Sequence, residues 1–284
     1  MDSSSFTRWL TSTPRPPLVM GVLNVTPDSF SDGGEFLDAS KAVDHARRMI
    51  DDGADLIDIG GESTRPGAQR VEAAEQIRRV VPVIERVARL GVAVSIDTTL
   101  AEVARAAIGA GAAIVNDISA ATEDAGMTPL IAQSRCPVIL MHMQREPGTM
   151  QINPTYDDVV REVTDYLVNR AHALEAAGVE RHLIVLDPGF GFGKTVEHNL
   201  QLLRQLDRLV QTGYPVLVGT SRKSFIAQTL SLKPGADRTF GTAATIAWAV
   251  TNGAGIVRVH DVGAMKQVVR MTQAIQQGNR TGNP

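Results

Sequence analysis

LVMGVLNVTPDSFSDGG, residues 18–34, is the stretch that decides the fold: seven residues of near-continuous apolar strand stop at an amide, Asn24, and open into an acidic loop closed by two glycines. A strand that is apolar on both faces belongs to a parallel sheet covered on both sides. A polar loop starting at its C-terminal end belongs to a site rather than to a core. Seven further runs share this character: 54–61 (ADLIDIGG), 92–97 (VAVSID), 112–117 (AAIVND), 137–142 (PVILMH), 182–187 (HLIVLD), 214–220 (YPVLVGT) and 255–260 (GIVRVH). Between them apolar residues recur at helical spacing, as in Ile77, Val80, Val81, Ile84 and Val87, or in Val163, Tyr166, Leu167, Arg170 and Leu174, with Gly178 positioned to end the second helix. Pro82 predicts a kink or a break into two short helices in the first. Eight strand-then-helix repeats in a chain of 284 residues predict a single (β/α)8 TIM barrel, with an open doubly wound sheet as the alternative. No linker divides the chain, so residues 1–15 read as a polar N-terminal tail and 16–284 as one barrel domain.

Composition narrows the function. A formal net charge of -3 without any basic run argues against nucleic acid, and no apolar stretch has the length of a membrane span. The single cysteine, Cys136, precedes the apolar run 137–141 and reads as core packing; it excludes an internal disulfide and fits a reducing cytoplasm. An anionic ligand must therefore be held by a local cluster.

The polar residues fall in one place along every repeat. Asn24, Asp58 with Glu62, Asp97, Asn116 with Asp117, His142, Asp187, Ser221 with Arg222 and Lys223, and Arg258 with His260 all stand at C-terminal strand ends, the face where barrels of this kind carry their active sites. Helix capping accounts for a single Asp, Asn or Ser after a strand, but not for Lys223, Arg258 and His260. Two motifs mislead. In 187–195 (DPGFGFGKT) the first glycine of a Walker loop would fall on Pro188, and the alternating glycines also miss the dinucleotide pattern, so neither ATP nor a dinucleotide is expected. His142 has no second soft ligand at useful spacing and reads as a packed histidine.

Read together, 21–34 (GVLNVTPDSFSDGG), 58–68 (DIGGESTRPGA), 95–98 (SIDT), 115–119 (VNDIS), 140–144 (LMHMQ), 187–194 (DPGFGFGK), 219–226 (GTSRKSFI) and 257–262 (VRVHDV) resemble the dihydropteroate synthase family over almost the whole chain. The resemblance implies a transferase that condenses 6-hydroxymethyl-7,8-dihydropterin pyrophosphate with 4-aminobenzoate, releasing pyrophosphate. It also implies a homodimer through the later helices, for which the apolar stretch 244–250 leaves room. One departure stands at 145–148 (REPG), where the family often has a glycine soon after the Gln; it bears on the shape of that loop.

The residues suit that chemistry on their own terms. Asp187 can accept two hydrogen bonds from an amino-pyrimidinone edge, Asn116 can donate and accept beside it, Asp97 can accept from the far ring nitrogen, and Lys223 can donate to the carbonyl. Met141 and Phe192 can wall a flat heterocycle. Arg258 and His260 alternate onto one face of the last strand as an anion clamp for the diphosphate, with Arg65 as a further candidate. Asn24 offers one neutral oxygen to a Mg2+ carried by the diphosphate, and Asp32, with Asp28 beside it, reaches toward that ion on loop closure. For 4-aminobenzoate the resemblance implies Thr64, Pro66, Phe30, Ser224 and Phe192. A dissociative substitution needs no protein nucleophile, consistent with the lack of a Ser-His-Asp or Cys-His set. Three other readings are a pterin-binding methyltransferase, a silent pterin-binding paralogue and an ATP-binding regulator. The first gives no task to Asn24, Arg258 and His260, the second expects lost motifs, and the third rests on the broken Walker pattern.

Overall fold

The computed structural model describes residues 1–26, 35–63, 70–146 and 148–278, with backbone alone over 35–38. Eight strands, β1 (Leu18–Asn24), β2 (Leu56–Gly60), β3 (Ala93–Asp97), β4 (Ile114–Asp117), β5 (Val138–Met141), β6 (Ile184–Asp187), β7 (Leu217–Val218) and β8 (Ile256–Val259), pair in parallel in the order β6-β5-β4-β3-β2-β1-β8-β7. A parallel bridge between Leu186 and Val216, with the Leu186 N–H donating to Pro215 O at 2.9 Å, joins the two ends into a barrel. The closed TIM barrel expected from the apolar runs is therefore the fold, and the open sheet is excluded. β7 shrinks from the seven residues of its run to two, because Pro215 brings no ladder donor and the backbone leaves the sheet at Gly219.

The helices are α1 (Ser3–Thr11), α2 (Glu35–Asp51), α3 (Ala73–Ala88), α4 (Ala101–Gly109), α5 (Met127–Ser134), α6 (Val159–Ala176), α7 (Val196–Arg204), α8 (Leu206–Val210), α9 (Ser224–Thr229), α10 (Thr239–Thr251) and α11 (Val262–Gln277). α3 is one helix and not two: Pro82 lies inside it, and the buried stripe of Val80, Val83, Ile84 and Val87 holds it against the barrel. α6 stops where expected, with Gly178 in the left-handed region at φ +95°.

Residues 1–15 correct the sequence reading. Instead of a polar tail, Asp2 caps α1 by accepting from the Ser5 N–H at 2.7 Å, and Phe6, Trp9 and Leu10 are buried. The Phe6 and Trp9 rings stack at 5.6 Å, Trp9 Nε1 donates to Pro16 O at 2.7 Å, and Met1 O accepts from the Ala93 N–H at 2.7 Å. Those partners stand at the N-terminal ends of β1 and β3, so α1 closes the barrel floor, opposite the expected site.

Register then aligns the site. Asn24 lies level with Gly60, Gly60 with Asp97, Asp97 with Asn116, and Met141 with Asp187. No helix among the described residues is long and apolar enough to cross a membrane.

Candidate active site

The centre of the barrel mouth is an ion cluster drawn from three strands. Arg258, from β8, donates through Nε to Asp58 Oδ2 at 2.6 Å and through Nη2 to Asp97 Oδ2 at 2.8 Å. Asp58 Oδ2 also accepts from Asn116 Nδ2 at 3.1 Å, while Asp58 Oδ1 is buried with no hydrogen-bond partner among the described residues. Burial, and then the Asp58 charge, push the Asp97 carboxyl up to about 7 against the pull of Arg258. Burial opposes the Arg258 charge, yet Asp58 and Asp97 outweigh it and hold the guanidinium above its ordinary range. The expected anion clamp is thus partly committed: two of its donor nitrogens face carboxylates, and Nη1 makes neither bond.

Beside the cluster lies a narrow slot of about 30 Å³, and every pterin candidate lines it: Asp97, Asn116, Met141, Asp187, Phe192 and Lys223. Asp187 Oδ1 accepts from the Gly189 N–H at 2.7 Å; burial pushes the carboxyl up to about 6, against that hydrogen bond and Lys223. Lys223 Nζ sits 4.0 Å from the Phe192 ring centroid, and burial, followed by Arg258, lowers the ammonium to about 8. Asp97, Phe192, Gly219, Lys223 and Arg258 also line a wider cavity of about 520 Å³ above, so the slot is its floor.

Asn24, Ser221, Ser224 and His260 line that upper cavity. His260 Nδ1 meets Ser221 Oγ at 3.0 Å, and burial, then Arg258, lower the imidazole to about 4, so it is neutral at neutral pH. Ser224 is the first residue of α9 and is exposed. Asp28, Phe30, Asp32, Thr64, Arg65 and Pro66 lie outside the described residues.

Other sequence readings resolve here. Cys136 is a buried core residue whose thiol, donating to Ala113 O at 3.3 Å, is pushed up to about 12 by burial. His142 is packed edge-on against Tyr166 at 5.0 Å, and burial, then Lys194, lower it to about 3. Lys194, the would-be Walker lysine, is 3% exposed and bonds backbone carbonyls, so it faces no phosphate. At the family departure Arg145 takes a left-handed φ of +64°, the backbone for which glycine is the low-cost residue; its guanidinium donates to Ile152 O at 2.7 Å. Sequence reasoning left Asp58 without a role, and it missed Ile118 as a slot wall, although Ile118 stands two residues after Asn116.

The sequence profile of the family described as pterin binding enzyme matches residues 20–260. A dihydropteroate synthase of a Synechocystis species is 48% identical over 258 residues, covering 90% of this chain and 89% of its own. A solved Xanthomonas albilineans dihydropteroate synthase with 4-aminobenzoic acid superposes with a TM-score of 0.85 at 48% identity, covering 92% of this chain and 93% of that one. The same enzyme in complex with 7,8-dihydropteroate gives 0.84 at 44% identity, with 93% and 95% covered.

Proposed function

This chain belongs to the pterin binding enzymes, as a transferase of the dihydropteroate synthase family, and on that premise we propose how its residues divide the reaction between 6-hydroxymethyl-7,8-dihydropterin pyrophosphate and 4-aminobenzoate. The observation that carries the reading is the meeting of Asp97, Asn116, Asp187 and Lys223 on one slot. Asp187 accepts from the exocyclic amine and ring nitrogen of the pterin, Asn116 pairs with the adjoining nitrogens, Asp97 accepts from the far ring, and Lys223 donates to the carbonyl oxygen and its neighbour. Met141 and Phe192 cover the faces of the ring. Asp58 supports the set from below, holding Asn116 and Arg258 in register through one carboxylate oxygen.

The upper cavity receives the diphosphate and the arylamine. His260, with Nδ1 engaged by Ser221, keeps Nε2 for an anion, and Arg258 adds its remaining donor beside it. Asn24 brings one neutral oxygen to the same cavity, and among the described residues no cluster of three His, Cys, Asp or Glu holds a metal by protein ligands alone. That donor set fits a Mg2+ carried in by the diphosphate, which would supply neutralisation of the leaving charge. Ser224 and Phe192 frame the 4-aminobenzoate, with Thr64, Pro66 and Phe30 from the neighbouring loops.

The substitution runs dissociatively. The carbon to oxygen bond breaks, the diphosphate keeps the electron pair facing the charge of Arg258 and the neutral N–H of His260, and the pterin ring donates electrons to the cationic methylene. The amine of 4-aminobenzoate then attacks and loses its proton to bulk solvent. The protein orients and neutralises, and no covalent adduct forms on it. A pterin-binding methyltransferase would share the slot but give Asn24 and His260 nothing to do. The exposed Phe240, Trp248, Met271 and Ile275 of α10 and α11 support a homodimer through that face, and the lone reduced cysteine supports a cytoplasmic enzyme. A series of ring-substituted 4-aminobenzoates of graded amine basicity tests the order of events: kcat is expected to stay nearly constant, and a steep rise with basicity would overturn a diphosphate-first mechanism.

A further inference from the structure

Residues 188–193 leave β6 and fold back over the exit of β5 through three left-handed glycines, with φ of +69°, +80° and +63° at Gly189, Gly191 and Gly193. The approach is close. A Cβ at Gly189 would stand 2.0 Å from the His142 carbonyl oxygen, and one at Gly193 would stand 2.7 Å from that of Gln144. A turn of this kind gathers carbonyl oxygens in a buried place, where each needs a donor because orphaned acceptors are costly; Gly189 O takes the Phe192 N–H at 3.1 Å and Gly193 O the Tyr156 hydroxyl at 2.8 Å.

Lys194 meets them. Its Nζ donates to Phe192 O at 2.9 Å, Gly189 O at 3.0 Å and His142 O at 3.3 Å, and lies 3.0 Å from His142 Nδ1. No carboxylate contacts the ammonium among the described residues; it is caged by three carbonyls and an imidazole. The cage spans two strand exits, because His142 follows β5 while Gly189 and Phe192 follow β6.

We infer that Lys194 is a positioning residue for the pterin slot: its buried ammonium ties the 188–193 turn to the exit of β5, and so sets the Phe192 ring under Lys223 and the Gly189 N–H on Asp187. Both of those contacts are short, 4.0 Å from Lys223 Nζ to the ring centroid and 2.7 Å from Gly189 N to Asp187 Oδ1. The inference deepens the proposed pterin reading and rests on it. Lys194 also acts through charge: burial lowers its ammonium to about 7, so it is protonated over the acid limb where Asp187, at about 6, titrates. The Asp187 carboxylate faces the cations Lys223 and Arg258 as well as Lys194, and the carboxylate of Asp97, so removing one cation makes Asp187 easier to protonate.

The test is calorimetric titration of the full-length protein with 6-hydroxymethyl-7,8-dihydropterin pyrophosphate across a pH series. Lys194→Met keeps the length of the stem and removes the charge. It is expected to weaken binding at least about tenfold and to move the acid limb of the binding profile to higher pH. Unchanged affinity, or weaker binding with the acid limb in place, overturns the inference, since simple loosening of the fold would not shift that limb. Should Lys194→Met fail to fold, His142→Leu decides, because it removes one wall of the cage and leaves the ammonium its carbonyls. That variant is expected to bind about threefold more weakly with the acid limb unmoved, and affinity equal to that of the unaltered protein overturns the inference. If the unaltered protein itself does not bind the dihydropterin pyrophosphate, the pterin reading fails instead.

Discussion

Replacing Arg258 by Met removes the cation that, among the described residues, bridges Asp58 and Asp97, and leaves two buried carboxyls facing each other, Asp58 at 0% exposure and the Asp97 side chain at 11%. Deleting one partner of a buried ion pair costs about 3–5 kcal/mol while the orphaned charges persist. They need not persist at every pH. Asp97 already titrates at about 7, raised by burial and by Asp58, and the pull of Arg258 against that rise disappears in the variant. Its folded pKa therefore moves further above the unfolded value of roughly 3.9. A carboxyl raised in the folded state binds more protons there than in the unfolded chain, so stability falls as pH rises from the unfolded pKa through the folded one. At about pH 5 a proton stands in for the guanidinium and the expected loss is only the hydrogen bonds to Arg258, about 1–2 kcal/mol. By about pH 8 the expected loss grows to the full 3–5 kcal/mol. Urea unfolding of Arg258→Met and the unaltered protein at both pH values measures this. Adding Asp58→Asn should restore most of the loss at the higher pH, because one of the two orphaned charges is gone. An equal loss at both pH values, or no recovery in the double variant, would refute the view that Arg258 balances this pair.

The same carboxyls set the pH profile. With Asp97 at about 7 and Asp187 at about 6, both accepting from the pterin as carboxylates, kcat/KM for the dihydropterin pyrophosphate should decline as pH falls through that window; a flat profile from neutral to mildly acidic pH contradicts it. Gly189→Ala combines a left-handed backbone with a Cβ 2.0 Å from a carbonyl oxygen, so the turn must move; pterin binding is expected to drop at least about tenfold in titration calorimetry, and normal affinity would show that the turn yields freely. Asn24→Ala should lower kcat far more than it weakens the pterin, measured by steady-state kinetics beside calorimetry, and equal losses in both would remove Asn24 from the leaving-group side. Phe240→Glu with Ile275→Glu places charges on side chains that are 87% and 69% exposed; sedimentation should report a dimer for the unaltered chain and a monomer for the variant, and an unchanged dimer would move the interface elsewhere.

Much of this site was legible because a parallel barrel writes itself plainly. Strands buried on both faces read as apolar runs, and residues at or just after the end of a run are brought to the mouth, so Asp97, Asn116, Asp187 and Lys223 could be picked out as one group before their meeting on one slot was seen. What was hidden depends on partners that local spacing does not reveal. Asp58 could be read only as one more polar group near a strand end, because its partners lie 58 and 200 residues away. The same pairing explains why Arg258 read as a free anion clamp: alternation gave its direction but not the two carboxylates that meet it. Lys194 looked like the end of a failed Walker motif because its partners are carbonyl oxygens, which every residue carries. α1 was missed because only Phe6, Trp9 and Leu10 stand out from a run rich in Ser and Thr, and their burial depends on the barrel floor they cover.

On the proposed reading, one slot holds the pterin while the cavity above it joins diphosphate departure to arylamine attack. The most direct test of that reading is a paired assay of pyrophosphate and 7,8-dihydropteroate from the purified protein, with each substrate and Mg2+ omitted in turn. Equal amounts of the two products are expected with both substrates and Mg2+ present, and no pteroate when 4-aminobenzoate or Mg2+ is omitted. Pyrophosphate released at the same rate with and without 4-aminobenzoate, and no matching pteroate when both substrates are present, would contradict it.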